Sequence, residues 1–254
     1  MARSDEEPVR APHPPLAAYF PSEEARRGWV RGIFDRTAGD YERVERTMAL
    51  GSGAWYRGQA LRRAGLAPGM RVVDVGTGTG LVARAAARIV GDARAVIGVD
   101  PSAGMRTNAR LPEGMRLLEG AAESIPLPDG SADFLSMGYA LRHISDLSVA
   151  FAEFHRVLAP GGIVCILEIT PPASRVGRAA LKAYLRGVVP LLARAVGRSP
   201  DTPRLMRYYW DTIEACASPA RVLATLAHAG FAARARHVEL GVFSEYRAVK
   251  AHAR

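Results

Sequence analysis

The stretch Val72-Val73-Asp74-Val75-Gly76-Thr77-Gly78-Thr79-Gly80 is followed directly by an alanine-rich stretch from Leu81 to Val90. A second apolar run, from Ala95 to Val99, ends at Asp100. Apolar run, glycine-rich turn, helical composition and second apolar run together predict a β-α-β unit. Glycines permit a sharp turn and a close approach of the backbone to a ligand, and the start of the helix offers unpaired N–H groups to a carboxylate.

Acids at the ends of both predicted strands indicate a nucleoside ligand that carries a cation. A carboxylate in the position of Asp100 accepts hydrogen bonds from two ribose hydroxyls. The glycine spacing is Gly-x-Gly-x-Gly, and Asp74 stands two residues before the first glycine, where it suits an amine better than a pyrophosphate. The segment resembles the nucleoside-binding loop of class I S-adenosylmethionine (SAM) methyltransferases, which implies SAM as cofactor and S-adenosylhomocysteine as its product. The alternative is a plain strand-turn-helix corner, which needs fewer glycines and no pair of acids.

Length and composition favour one compact domain inside the cell. The chain has 254 residues, of which 48% are hydrophobic, as expected for one α/β domain with a helical insertion. Met1 to Arg10 contains no apolar signal region, and no apolar stretch approaches the ~20 residues that a membrane span needs. The two cysteines, Cys165 and Cys216, form no disulfide framework and suit a reducing compartment. We therefore expect a cytoplasmic protein.

The formal net charge of +9 indicates anionic partners, among which nucleic acid has to be considered. Almost all basic residues are arginine, a bias typical of genome composition. Much of the surplus lies between Arg175 and Arg207, where Asp201 is the only acid. Leu, Val and Tyr are mixed with these arginines, which favours a membrane surface or a lipophilic substrate over a phosphate track. We expect no nucleic-acid partner, and peripheral contact with the inner face of the membrane.

Alternating strand and helix patterns predict a doubly wound, mostly parallel seven-stranded sheet with helices on both faces. The further strands are expected at Arg116–Leu118, Ala132–Met137, Gly162–Ile169, Ala233–Leu240 and Phe243–Lys250, the last two as an antiparallel hairpin. Residues 1–27 are rich in proline and charge and predict a flexible lead-in to a domain over 28–254. An insertion over about 171–217 predicts two or three helices, broken near Gly187, Pro190 and Pro200–Pro203.

Beyond the glycine loop, the chain resembles the ubiquinone/menaquinone biosynthesis C-methyltransferase family over roughly residues 30–250. The likeness is carried by Phe34–Glu42 with Gly51–Arg57, Glu119–Pro126, Tyr139–Asp146, and Leu158–Gly162 with Leu167–Ile169. The resemblance implies SAM-dependent methylation of a ring carbon on a lipophilic quinol or phenol. The chain departs from the family pattern at Ala121 (an acid in the family), Gly138 (a small hydroxyl residue), His143 (Asn) and Cys216 (Phe).

The predicted site combines residues of the β-α-β unit with residues of the segments that carry the family resemblance. The cofactor residues are Tyr41, Asp74, Gly76, Gly78, Thr79, Gly80, Asp100, Met105, Ala121, Ala122 and Gly138. Met105 is expected beside the adenine and Tyr41 over the cofactor, with core packing as the alternative for each; Thr79 has helix capping as its alternative. Arg142 is expected to stabilise an oxyanion, or else to pair with a carboxylate, and His143 to accept a proton, or else to be structural.

Other chemistries fit less well. The histidines show no metal-ligand spacing, so we expect no metal. Two alternative functions remain: a ring O- or C-methyltransferase of an aromatic secondary metabolite, and a non-catalytic SAM-binding partner in a biosynthetic assembly. In the basic stretch, apolar residues recur at helical spacing, which predicts helices that roof the site and present arginines to anionic lipid. A lid with solvated arginines, or a homodimer contact, is the alternative.

Overall fold

The computed structural model describes residues 8–48 and 51–252, and a seven-stranded sheet forms its centre. The strands are β1 (Val72–Val75), β2 (Val96–Asp100), β3 (Arg116–Glu119), β4 (Ala132–Gly138), β5 (Leu158–Ile169), β6 (Phe231–Glu239) and β7 (Phe243–Lys250). Their order is β3-β2-β1-β4-β5-β7-β6, with β7 antiparallel to both of its neighbours. The sheet predicted from the alternating pattern, with its C-terminal hairpin, is confirmed.

Helices cover both faces of this sheet. They are α1 (Glu23–Met48), α2 (Gly53–Ala64), α3 (Leu81–Val90), α4 (Ala103–Thr107), α5 (Leu147–Val157), α6 (Arg175–Lys182), α7 (Val189–Val196), α8 (Thr202–Ala215) and α9 (Pro219–His228). Side chains at the helix starts accept backbone hydrogen bonds, as Asp146 does for α5 and Ser218 for α9. Pro219 at the start of α9 has no N–H to leave unpaired there.

The site is positioned by the point where the sheet reverses its winding order. Strand β1 pairs in parallel with β2 on one side and with β4 on the other. The chain therefore proceeds outward from β1 in both directions, and a crevice opens where the carboxyl ends of these strands meet. The glycine loop follows β1 at this crevice, Asp100 ends β2 there, and Gly138 ends β4.

The helical insertion is more continuous than the sequence suggests. The predicted break near Gly187 and Pro190 is absent in this described segment, where α6 runs through a π-helical turn at Ala183–Val188 into α7. Pro190 lies in the first turn of α7, where a missing N–H is tolerated. The chain breaks the helical path only after Val196, before α8 begins at Thr202.

Helices α1, α7 and α8 enclose a third hydrophobic core beside the two cores that flank the sheet. It contains Ile33 and Val44 from α1, Val189 from α7, and Tyr208 and Trp210 from α8. The insertion is thus packed on α1, so the predicted roof over the crevice is built from α1 with α8 and α7 behind it.

Residues 8–22 differ from the flexible lead-in expected over 1–27. The Val9 N–H donates to Thr225 Oγ1 at 2.9 Å, and the carbonyl of Pro12 accepts from the N–H of Ala217 at 2.7 Å. Val9 and Phe20 are buried. The apolar residues between the prolines anchor this extended segment on the domain, because burying them outweighs the loss of chain freedom. The remainder of the expected lead-in, residues 1–7, lies outside the described residues.

Candidate functional site

A cavity of about 310 Å³ opens at the crevice between β1, β2 and β4. Most of the predicted residues line it: Tyr41, Gly76, Gly78, Asp100, Met105, Ala121, Ala122, Gly138 and His143. A smaller cavity of about 50 Å³ shares Tyr41, Gly76, Gly78, Gly138 and Tyr139 with it and so adjoins it at the glycine loop. The structure therefore brings together residues that span a hundred positions of the chain.

Asp100 presents a buried carboxylate to the larger cavity. Its Oδ2 accepts the N–H of Gly78 and its Oδ1 accepts the N–H of Ser102, each at 2.8 Å. Burial raises the pKa of Asp100, although these two N–H donors act against that rise. Each carboxylate oxygen can accept a second hydrogen bond. The remaining capacity matches a pair of adjacent hydroxyls, as on a ribose.

The first two glycines of the loop let the backbone form the floor of both cavities. Gly76 and Gly78 have φ values of 65° and 55°, in the left-handed region that favours glycine. A Cβ on Gly76 would lie 2.7 Å from the Cβ of Ala140, so a larger residue does not fit. Gly80 differs: its N–H donates to the Thr77 carbonyl at 2.9 Å, and it lies outside the cavity lining. Gly80 thus shapes the turn, and its own N–H is already paired, whereas Leu81 and Val82 at the start of the helix line the smaller cavity.

Asp74 also lies behind the loop, not in the cavity wall. Its Oδ2 accepts from the Thr77 hydroxyl at 2.5 Å and its Oδ1 from the Ser136 hydroxyl at 2.6 Å. The side chain is fully buried, and this burial raises the pKa of Asp74 to about 6. The direct contact with an amine predicted for Asp74 is therefore replaced by a supporting role under the glycine loop.

Thr79 lines the smaller cavity instead of capping its helix. Gly80 is the N-cap residue of α3, and no side chain caps this helix. The Thr79 hydroxyl is buried and has no hydrogen-bond partner among the described residues. An unpaired buried hydroxyl is unfavourable unless a ligand completes it. The capping alternative is wrong, and the hydroxyl is available to a ligand in this cavity.

The smaller cavity also contains an ion pair that sequence reasoning missed. Arg57 Nη1 lies 2.7 Å from Glu45 Oε1, and both side chains line this cavity together with Thr79. Arg57 is 4% exposed. One cation and one anion side by side are complementary to a zwitterion. The Trp55-Tyr56-Arg57 segment could have drawn attention to Arg57. Glu45 and Arg57 belong to two different helices, so no sequence spacing predicts that they pair.

Arg142 lies behind the wall of the larger cavity. It forms a short ion pair with Glu168 at the end of β5, and both side chains are buried. The guanidinium carbon also lies 4.8 Å from the centre of the Tyr209 ring. Arg142 is thus committed to a carboxylate and an aromatic face, which was the alternative considered for it. The stabilisation of an oxyanion that the sequence predicts for Arg142 stays a prediction, for a side chain that lies outside the cavity lining.

His143, unlike its neighbour Arg142, lines the larger cavity. Its Nδ1 lies 3.2 Å from the Tyr208 hydroxyl, and its ring stacks on that tyrosine with 5.4 Å between centres. The Nε2 atom is buried without a partner among the described residues. Burial, followed by the charge of Arg142, lowers the pKa of His143 well below its usual value. The imidazole is therefore neutral near pH 7, and the residue is part of the cavity lining.

Aromatic and aliphatic side chains from the helical roof surround this imidazole. The Phe34 ring stands edge-on to His143 with 5.0 Å between centres, and Tyr209 lies 6.0 Å away. Val30 and Ile144 complete this part of the lining. Tyr139 at the strand end has a positive φ of 60°, which is strained for a non-glycine residue. The sequence named Phe34 only as part of a motif and gave no reason to place α1 and α8 around one planar space.

Solved structures with the same fold define the class of this protein. A SAM-dependent methyltransferase from Thermotoga maritima matches with a TM-score of 0.60 at 24% identity, over 86% of this chain and 98% of that chain. A second from Mesorhizobium loti matches with a TM-score of 0.54 at 21% identity, over 78% of this chain and 98% of that chain. The fold is that of the class I methyltransferases.

Sequence relatives narrow this class to a family. The model of the ubiE/COQ5 methyltransferase family matches residues 21–250. The demethylmenaquinone methyltransferase of Parafrankia sp. is 31% identical over 243 residues, covering 87% of this chain and 93% of the relative. A ubiquinone/menaquinone biosynthesis C-methyltransferase of Coxiella burnetii is 29% identical, covering 80% of this chain and 82% of the relative. The chain belongs to the ubiE/COQ5 methyltransferase family and is a SAM-dependent methyltransferase.

Proposed function

We propose that this enzyme transfers the methyl group of SAM to a ring carbon of a lipophilic quinol or related phenol. The observation that carries the proposal is the Nε2 of neutral His143, which has no partner among the described residues and belongs to a residue that lines the cavity together with Phe34 and Tyr209. A relative from Parafrankia sp. named as a demethylmenaquinone methyltransferase, with high coverage of both chains, supports the quinol as acceptor.

The two adjoining cavities suit the parts of SAM. Asp100 accepts the ribose hydroxyls, while Met105 and Ala122, which line the same cavity, flank the adenine. Arg57 and Glu45 are complementary to the carboxylate and the ammonium of the methionine end, and Thr79 offers it a hydroxyl. Gly76 and Gly78 line both cavities. Their lack of side chains allows SAM to extend from one cavity into the other. When bound, SAM supplies an electrophilic methyl group.

On the acceptor side, the chain's own residues orient the ring and hold the proton. Phe34, Tyr209 and Val30 bound a space that fits a planar ring and limits the entry of water. If Nδ1–H of His143 donates to the Tyr208 hydroxyl, Nε2 is left as an acceptor for the hydroxyl of the quinol. Withdrawal of that proton makes the ring carbon nucleophilic. The methylated ring then loses its C–H proton, so that the net reaction releases one proton.

Deprotonation of the same hydroxyl also activates its oxygen, which makes ring O-methylation the second candidate. The observation that favours it is again His143, whose Nε2 would lie beside the oxygen and not beside the carbon. Purified enzyme supplied with labelled SAM and a reduced, short-tailed demethylated quinone distinguishes the two. A new C-methyl signal in the product supports the proposal, and an O-methyl ether replaces it with the second candidate. SAM binding without any labelled product would leave only a non-catalytic partner of a biosynthetic assembly.

A lipophilic acceptor resides in a bilayer, so we propose that the enzyme works at the inner face of the membrane as a peripheral protein. Among the helices of the described residues, none is long and apolar enough to cross a membrane. The net charge of +9 supports attraction to an anionic surface. We propose lipid, and not nucleic acid, as the partner of this charge.

A further inference from the structure

The continuous helical path from α6 through the π-helical turn to α7 has two apolar faces. One face is buried on the third core through Leu185, Val189 and Ala193. The opposite face, here called the outer stripe, points to solvent and consists of Val176, Ala180, Ala183, Val188 and Leu191. Val176 is 81% exposed and Leu191 65% exposed. Large aliphatic side chains on the outside of a packed helix indicate a surface that meets something apolar.

The π-helical turn keeps the outer stripe straight. Residues of the stripe follow one another at spacings of three to five, and in a regular helix of 3.6 residues per turn such a stripe drifts around the axis. The wider turn at Ala183–Val188 compensates for this drift, because each of its turns takes more residues. Val176 and Leu191 therefore lie on the same side of a helix about 23 Å apart.

Basic side chains alternate along the chain with the residues of the outer stripe. Arg178 and Arg194 are exposed, and in the described part of the chain neither forms an ion pair. Lys182 is paired with Glu214 at 3.2 Å, and Arg186 lies 3.9 Å from Asp211. An apolar strip bordered by unneutralised cations is complementary to a surface whose interior is apolar and whose rim is anionic.

We propose that the outer stripe and its flanking arginines dock the enzyme on an anionic lipid bilayer, a step that rests on the proposed lipophilic acceptor. Insertion of Val176 and Leu191 among the acyl chains brings Arg178 and Arg194 to the level of the phosphates. A second copy of this chain is a poorer occupant, because a symmetric contact would bring arginine flanks together. A nucleic acid would leave the aliphatic side chains without a partner.

Co-sedimentation of the full-length protein with vesicles tests this docking. Vesicles of phosphatidylcholine with phosphatidylglycerol should pellet the protein, vesicles of phosphatidylcholine alone should not, and high salt should release it. The double variant Arg178→Gln/Arg194→Gln should weaken the binding about fivefold per arginine. Leu191→Ser should weaken it further, with the folded state unaffected because this side chain is exposed.

Matched controls separate the outer stripe from the general charge of the protein. Arg88→Gln/Arg116→Gln removes the same charge from two exposed positions elsewhere, and Leu240→Ser polarises an exposed leucine between β6 and β7. Binding should be nearly unchanged in both. Equal losses in the control pair, or no loss in the stripe variants, would overturn the docking surface. A dimer in solution that Leu191→Ser dissociates would also overturn it, by assigning the stripe to a contact between copies.

A second measurement, the rate of methyl transfer to a water-soluble, short-tailed quinol, tests the proposed function independently of the docking surface. The stripe variants should retain wild-type turnover of that acceptor, since their side chains lie outside the cavity lining. Loss of vesicle binding with intact soluble turnover supports the docking. Intact vesicle binding without turnover in the wild type would contradict the proposed function and leave the docking supported.

Discussion

The proposed cofactor side and the proposed acceptor side of the cavity are built in different ways. The cofactor side uses backbone and a strand-end carboxylate: Gly76, Gly78 and Asp100 lie within one β-α-β unit. The acceptor side uses side chains from three distant elements, among them Phe34 in α1, His143 after β4 and Tyr209 in α8. The first side has a geometry that short-range sequence spacing sets, whereas the second exists only when α1 and α8 pack together.

This contrast explains which of the residues predicted for the site line the cavity and which lie behind it. Class I methyltransferases share a cofactor, so their glycine loops are constrained alike, and the loop residues were placed in the cavity as expected except Asp74 and Gly80. The acceptor side varies with the substrate, and there His143 lines the cavity while Arg142 pairs with Glu168 behind the wall. Short local motifs thus indicate the cofactor that the whole class shares. Side chains that are distant in sequence determine the methyl acceptor of the individual enzyme.

The largest effect is expected on the acceptor side. Replacing His143 with Ala should lower kcat by about 10² to 10⁴, because a positioned proton acceptor contributes roughly this factor. The SAM dissociation constant should stay within twofold, since the glycine loop is untouched. His143→Asn, which restores the residue of the family pattern, should lose less than His143→Ala. Steady-state kinetics with calorimetric SAM titration measure both quantities, and an unaltered kcat in His143→Ala would remove His143 from the reaction.

The next effect concerns the support under the glycine loop. Because burial raises the pKa of Asp74 to about 6, the folded state binds its proton more tightly than the unfolded state does. This group therefore stabilises the fold fully below pH ~4, and its contribution of up to about 3 kcal/mol is lost as the pH rises to ~6. Asp74→Asn should remove that loss, so the variant gains stability relative to the wild type as pH increases.

Urea unfolding between pH 4 and 7 measures this difference. Asp133 gives the control, because hydrogen bonds from Arg71 lower the pKa of that carboxyl. Asp133→Asn should leave relative stability nearly constant over this pH range, because a carboxyl with a lowered pKa stays ionised throughout it. If the Asp74→Asn difference does not vary with pH, Asp74 is not the buried, proton-binding support that the geometry indicates.

A third prediction tests the backbone-built side directly. Asp100→Ala should weaken SAM binding by ~1–3 kcal/mol, or about 5- to 150-fold, because two ribose hydroxyls lose a charged acceptor. Phe34→Ala, on the acceptor side, should leave SAM binding nearly unchanged and raise the KM for the quinol. Calorimetry and steady-state kinetics on the two variants would refute the division of the cavity if both variants lost the same ligand.

The smallest expected effects are those of removing the Thr79 hydroxyl and the Thr77 hydroxyl, which lie in the same glycine loop. Thr79→Val removes a buried hydroxyl that has no partner among the described residues, so the free protein should become more stable by about 1 kcal/mol. Thr77→Val removes a hydroxyl bonded to Asp74 and should destabilise the protein by a similar amount. Thr79→Val should also weaken SAM binding about fivefold. Unchanged SAM affinity in Thr79→Val would show that this hydroxyl does not reach the cofactor.

Much of the fold could be read from the chain because its signals are local. Strand and helix patterns repeat over a few residues, and the glycine loop with Asp100 twenty residues beyond Gly80 specifies one β-α-β unit. The chirality of such units leaves few arrangements for the remaining strands. The family segments, Phe34–Glu42 and Tyr139–Asp146, added the enzyme class. Fold, cofactor loop and methyl transfer were therefore determined by the sequence itself.

Tertiary structure decided which of two neighbouring side chains lines the cavity. Arg142 and His143 are neighbours in sequence, and only the position of Glu168 at the end of β5 withdraws the arginine from the cavity. The Tyr208 and Phe34 rings then hold the histidine in the wall. Such choices depend on contacts between residues far apart in the chain, where burial and pairing outweigh intrinsic chemistry. No local pattern encodes them, because each contact forms only after the helices have packed on the sheet.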